Sequence, residues 1–91
     1  MKKFKDLEFK PYPAGFGKRA TMTFENKYGV SVIFGENFYS NGIDTYELAI
    51  VNPEEIDYTT GITEDVEGYK TEPEITKLMK RVQELPTWNK G

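Results

Sequence analysis

The chain contains neither cysteine nor histidine. Without cysteine there is no disulfide framework, no thiolate nucleophile and no sulfur ligand for a metal. Small secreted domains commonly need disulfide staples, so their absence turns the expectation toward an intracellular setting. Without histidine, the commonest general base and the easiest proton shuttle near neutral pH are also missing. Serine is scarce too: Ser31 and Ser40 are the only two, and neither lies in the glycine-flanked setting of a nucleophile elbow. The residue inventory therefore predicts a non-catalytic protein with no cofactor and no metal. No apolar run approaches the roughly 18–20 residues that span a bilayer, so no membrane association is expected. The basic start Met1-Lys2-Lys3-Phe4-Lys5 has no apolar stretch behind it and does not read as a signal peptide.

What is present describes one domain over residues 1–91. Hydrophobic residues at 37% and charged residues at 30% place the chain among globular proteins rather than disordered ones. Aromatics are abundant: six Tyr, six Phe and one Trp make 14% of the chain. A domain this small has room for only part of them in its core, so the surplus predicts an interface. An open sheet edge together with surplus aromatics would also favour a homodimer or a higher oligomer.

The net charge of −3 is unevenly spread. Residues 1–30 carry seven Lys or Arg against three acids, and 52–74 carry eight acids against one lysine. Blocks of one sign mark interaction surfaces in some proteins, although basic ends packed beside an acidic middle are the plainer explanation of the pattern.

Periodicity outlines the elements. Leu7 to Lys10 alternates like a short strand that Pro11 and Pro13 stop. Arg19 to Glu25 alternates clearly, with Ala20, Met22 and Phe24 on one side. A three-residue hairpin loop at Asn26-Lys27-Tyr28-Gly29 keeps the apolar sets on one face, and pairs Phe24 with Val32 and Met22 with Phe34. Val30 to Phe34 and Leu48 to Val51 are apolar at nearly every position, as in strands covered on both faces. A longer irregular loop joins them. Ile56 and Tyr58 alternate with Asp57 and Thr59, which predicts a fourth, edge-like strand, and 62–70 read as an acidic loop. The C-terminal helix has the clearest signature. Thr71 and Glu74 form a capping box, and Ile75, Leu78, Met79, Val82 and Leu85 make one apolar stripe that Pro86 ends. Asp or Lys at Leu78 is expected to unfold the chain. The fold class is therefore α+β, an antiparallel sheet of about four strands with one amphipathic helix packed on one face.

Four places could carry recognition. Gly15-Phe16-Gly17-Lys18-Arg19 could hold a phosphate with Phe16, Lys18 and Arg19, though neither its glycine spacing nor its ending is that of a P-loop. An ordinary turn before a strand is the plain alternative. Phe38, Tyr39 and Asn41 form an aromatic loop suited to protein contact or base stacking, unless Phe38 tucks into the core. The acids Glu54, Glu55, Asp57, Glu64, Asp65 and Glu67 could meet a basic partner surface or mimic a nucleic-acid backbone, and direct nucleic-acid binding is not expected. They lack the ligand alternation of an EF-hand. Trp88 either closes the core or anchors a partner.

The opening Met1 to Pro11, with Tyr28-Gly29-Val30-Ser31-Val32, Tyr46-Glu47-Leu48-Ala49 and Val82-Gln83-Glu84-Leu85-Pro86, resembles small uncharacterised proteins encoded in tailed-phage and prophage genomes. The resemblance covers most of the chain in sheet and helix residues, and transfers no functional residue. It implies a phage accessory protein in the bacterial cytoplasm that binds a host protein and antagonises a defence or regulatory system. A nucleotide-sequestering protein, with Lys18 and Arg19 on phosphates and Phe16 or Tyr39 on a base, is the alternative of another class, and a minor virion component is a third.

Overall fold

The computed structural model describes residues 1–11, 17–35, 45–62 and 67–89. Five strands pair antiparallel in chain order: β1 (Lys10–Pro11), β2 (Lys18–Thr23), β3 (Gly29–Phe34), β4 (Tyr46–Val51) and β5 (Glu67–Lys70). A 3-10 turn at Phe4–Asp6 precedes them, and helix α1 (Glu72–Gln83) follows. The α+β class is thus as expected, with five strands instead of four.

The β2–β3 hairpin keeps the expected loop length but not the expected pairs. Lys27 N–H donates to the Phe24 carbonyl at 3.0 Å, and Phe24 N–H donates to the Tyr28 carbonyl at 2.7 Å, so the loop is Glu25 to Lys27. Ala20 faces Val32 and Met22 faces Val30, a displacement of four residues from the predicted register. Because four is even, the apolar sets still share a face. Lys27, not a glycine, takes the positive φ of 74° that the turn demands. Gly29 serves another purpose: a Cβ there would stand 2.3 Å from the Met22 carbonyl oxygen, so only glycine lets the two strands approach.

One face of the sheet holds the core. Val30, Val32, Leu48 and Ile50 meet Ile75, Met79 and Val82 of α1, each at most 1% exposed. Leu78 and Leu85 flank the stripe and are only half-buried, as is Trp88. Phe4, Leu7 and Phe9 pack against the same cluster from the N-terminal segment. On the other face stand Thr21, Ser31, Ile33, Glu47, Ala49 and Val51, placed there by the register. Among the described residues no second layer covers them, contrary to the reading of β3 and β4 as strands covered on both sides. Small side chains reconcile the two: Gly29 and Ala49 are shielded by their neighbours in the sheet.

Two corrections concern the fourth strand. Ile56 forms only an isolated bridge to Val51, and no strand runs through 56–59. The outer strand lies instead at Glu67–Lys70, inside the stretch read as a loop. It pairs Tyr46 with Lys70 and Leu48 with Glu67, so Gly68 and Tyr69 together oppose Glu47 in a bulge.

The helix cap is formed as the sequence predicts. The Glu74 carboxylate accepts from the Thr71 N–H and hydroxyl, both at 3.0 Å. These bonds, the backbone one foremost, hold the Glu74 carboxyl below its ordinary value. At the other end, Asn26 reaches from the hairpin tip to close the helix. Its amide donates to the Val82 carbonyl at 2.8 Å and the Leu85 carbonyl at 3.0 Å. Its side-chain oxygen accepts from Tyr28 N–H, and its backbone oxygen accepts from Trp88 N–H. Helix ends leave carbonyls without partners, and here a residue 56 positions away supplies them.

Candidate functional site

Of the twelve residues singled out for binding, Phe16, Phe38, Tyr39, Asn41, Glu64 and Asp65 lie outside the described residues. The remaining six fall into different settings. Lys18 and Arg19 are exposed at the start of β2. They alternate across the sheet: Lys18 opposes Phe34 on the helix-covered face, and Arg19 opposes Ile33 on the open one. Arg19 also stands opposite Lys10 of β1, a like-charge pair that strand ladders ordinarily avoid. Gly17 before them has a φ of 89° and would place a Cβ 2.2 Å from the Phe34 carbonyl oxygen. It serves the close approach of chain segments, and the two cations diverge rather than converge on one phosphate.

The acids divide as well. Glu54 and Glu55 are exposed, and Glu67 sits half-buried 3.9 Å from Lys70. Asp57 does not belong to an acidic surface, which corrects its assignment as a binding residue. It is 6% exposed, and its carboxylate accepts from Asn52 Nδ2 at 3.0 Å, Thr59 N–H at 2.7 Å and Thr59 Oγ1 at 2.6 Å. Burial pushes its carboxyl up. The bonds from Thr59 and Asn52 outweigh that and hold it below its ordinary value.

The consequence for its neighbours is an inverted pattern. Where alternation predicts Ile56 and Tyr58 inward and Asp57 outward, the structure turns Asp57 in and leaves Ile56 43% and Tyr58 52% exposed. Tyr69 is 60% exposed. It holds a φ of 54°, a backbone region that bulky side chains rarely adopt. Ile56 is bridged to Val51, and Tyr69 lies in the bulge opposite Glu47. Val51 and Glu47 are four residues apart, about 13 Å along β4. Ile56 and Tyr69 thus both lie on the outer side of β4, with exposed Tyr58 two residues after Ile56 and exposed Glu54 and Glu55 just before it in the chain. Glu47 is raised above its ordinary value by partial burial, and among the described residues no cation pairs with it.

Two recesses lie elsewhere. An open groove of about 1080 Å³ runs between the N-terminal segment, the hairpin tip and the helix end, bordered by Lys2, Lys3, Asp6, Glu25 and Gln83. Two of its polar side chains are engaged in the fold: Gln83 exchanges hydrogen bonds with the backbone of Lys2 at 2.9 and 2.8 Å, and Asp6 caps its own turn. The second recess, about 280 Å³, lies among Phe4, Phe9, Phe34 and Tyr46 with Lys5 and Lys18 at its border. Sequence reading missed both the inverted segment and this recess. The recess joins residues from positions 4 to 46, which only the register brings together, whereas Asn52-x-x-x-x-Asp57-x-Thr59 was a local signal for a carboxylate fixed by its neighbours.

Among the described residues no group of three or more acids is placed to hold a metal ion. No helix is long and apolar enough to cross a membrane. No protein-family model, curated protein or solved structure matches the chain.

Proposed function

We propose that the chain is a non-catalytic accessory protein that binds another protein through the outer edge of β4, with Ile56, Tyr58 and Tyr69 as anchors. The observation that carries this reading is the inversion around Asp57. A buried carboxylate fully engaged with Asn52 and Thr59 holds two large apolar side chains in solvent, where burial of each would be worth about 1.5–3 kcal/mol. The unusual backbone of Tyr69 supports it, since strained and bulged positions concentrate where a side chain is aimed for contact. Tyrosine anchors surrounded by a polar border are the common composition of protein interfaces. The neighbouring Glu54, Glu55 and Glu47 suit a partner whose contact border is cationic. The setting we propose is a tailed phage acting on a host defence or regulatory protein, which rests on the resemblance of the sheet and helix residues alone.

The test uses Tyr58→Ala combined with Tyr69→Asn, since asparagine accepts a positive φ. Wild type and variant are immobilised and exposed to bacterial lysate, with folding checked by circular dichroism. The reading expects one host protein retained in stoichiometric amount by wild type, and about tenfold less by the folded variant, the loss of roughly one anchor's contribution. Equal retention by both, or no retained protein, overturns it. Retention of nothing but further copies of the chain itself would assign the edge to self-association.

A further inference from the structure

We propose that the recess among Phe4, Phe9, Phe34 and Tyr46 is a binding site for a small ligand that joins one planar aromatic ring to an anionic group, at the scale of a nucleoside monophosphate. The site shares no residue with Ile56, Tyr58 and Tyr69, so it stands or falls independently of the protein-binding edge.

The rings come first. Tyr46 is the hub, with Phe4 at 4.8 Å, Phe34 at 5.2 Å and Phe9 at 5.7 Å between ring centroids, and Phe4 lies 5.8 Å from Phe9. None of these pairs is stacked flat: the interplanar angles run from 38° to 61°. At these separations the rings pack on one another, and the surface they present to the recess can take a ligand ring laid against it in offset or edge-on contact. All four side chains are half-buried rather than closed over. The gap of about 280 Å³ lies at the lower end of ligand sites, which run from roughly 300 to 1,000 Å³. It has room for one ring system with one substituent.

The charge comes second. Lys18 occupies a core-face position of β2, in line with Ala20 and Met22 and directly opposite Phe34. An apolar residue is what alternation predicts there, so the lysine departs from the local rule at the border of the recess. Lys5 borders it from the N-terminal turn. Among the described residues no carboxylate lines the recess, and neither lysine takes part in an ion pair. Two ammonium groups beside an aromatic gap provide point charges for a phosphate or carboxylate while the rings hold the planar part. The same Lys18 appears in the nucleotide-binding alternative drawn from the sequence, with Phe4, Phe9, Phe34 and Tyr46 now in place of Phe16 and Tyr39 as the ring partners.

Titration of the labelled protein by NMR, with AMP, adenosine, phenyl phosphate and inorganic phosphate as probes, tests this. AMP and phenyl phosphate are expected to shift the ring resonances of Phe4 and Tyr46 at ~1 mM or below, with adenosine and phosphate about tenfold weaker, because ring and anion each contribute on the order of 1.4 kcal/mol. AMP binding tighter than phenyl phosphate would assign the site to nucleotides, and equal binding to aromatic anions at large. Lys18 is exposed, so Lys18→Gln should melt with the parent while binding AMP about tenfold more weakly, and raised salt should weaken the parent more than the variant, which keeps Lys5. The proposal is overturned if AMP moves no ring resonance, if adenosine matches AMP, or if Lys18→Gln binds AMP as the parent does.

Discussion

Asn26 makes four hydrogen bonds, more than any turn position requires, and two of them cap a helix in a distant part of the chain. Removing its side chain takes away the Leu85 carbonyl's bond to Asn26 and leaves the Val82 carbonyl with only the Leu85 N–H at 3.2 Å. Asn26→Ala should therefore cost about 2–3 kcal/mol, several times an ordinary turn substitution, and chemical denaturation with an unchanged m-value would show it. Glu47 works in the opposite direction. Its folded-state carboxyl is raised by burial above its ordinary 4.5, so the fold carries no penalty from it below that value and acquires one as pH rises through the raised value. Glu47→Gln should raise the melting temperature at neutral pH and leave it unchanged in acid. An equal shift at both would mean that charge is not the cause. Asp57 and Glu74, both lowered, have the reverse sign. Their stabilisation is complete above the ordinary carboxylate range and is lost as pH falls through their lowered values, so acid unfolding should set in below about 3.8, the ordinary value of Asp57.

At the scale of elements, the helix is where sequence and structure agree most closely, because a capping box, a 3.6-residue stripe and a dipole-matched charge order all say the same thing. The stripe alone nominates Leu78 as its sensitive point. The structure moves that to Met79, which is fully buried while Leu78 lies on the flank. Met79→Asp places an unpaired charge in the core and should abolish the cooperative melt, whereas Leu78→Asp should lower the midpoint and keep it. The outer strand was illegible for physical reasons. Glu67-Gly68-Tyr69-Lys70 has no alternating apolar set, carries a glycine, and reaches its ladder only by a bulge with Tyr69 at positive φ. Conversely, Ile56-Asp57-Tyr58-Thr59 alternates well and is no strand, because hydrogen bonds to Asp57 decide which side turns inward. The hairpin loop length followed from hydrophobic parity. Its register did not, since Gly29 is needed for strand approach and Lys27, not glycine, makes the turn.

At the scale of the molecule, the two proposed sites are built from different residues around the sheet. The aromatic recess sits where the N-terminal segment meets β3 and β4, and its residues span 42 positions, so no local window of sequence displays it. The protein-binding edge is built from 51–58 and the bulge, and its sequence signal was present but read with the wrong side inward. The chain's Cα radius of gyration, 12.5 Å, is close to the ~12 Å expected for a folded chain of this length.

The ties between the two ends of the chain also bear on when folding can finish. Lys2 and Phe4 bond to Gln83 and Thr76, and Asn26 waits for Val82, Leu85 and Trp88. The N-terminal segment and the hairpin tip therefore lack these partners until the helix has formed and docked. The sheet can pair in chain order, whereas docking of the helix on it belongs to the non-local class of folding steps.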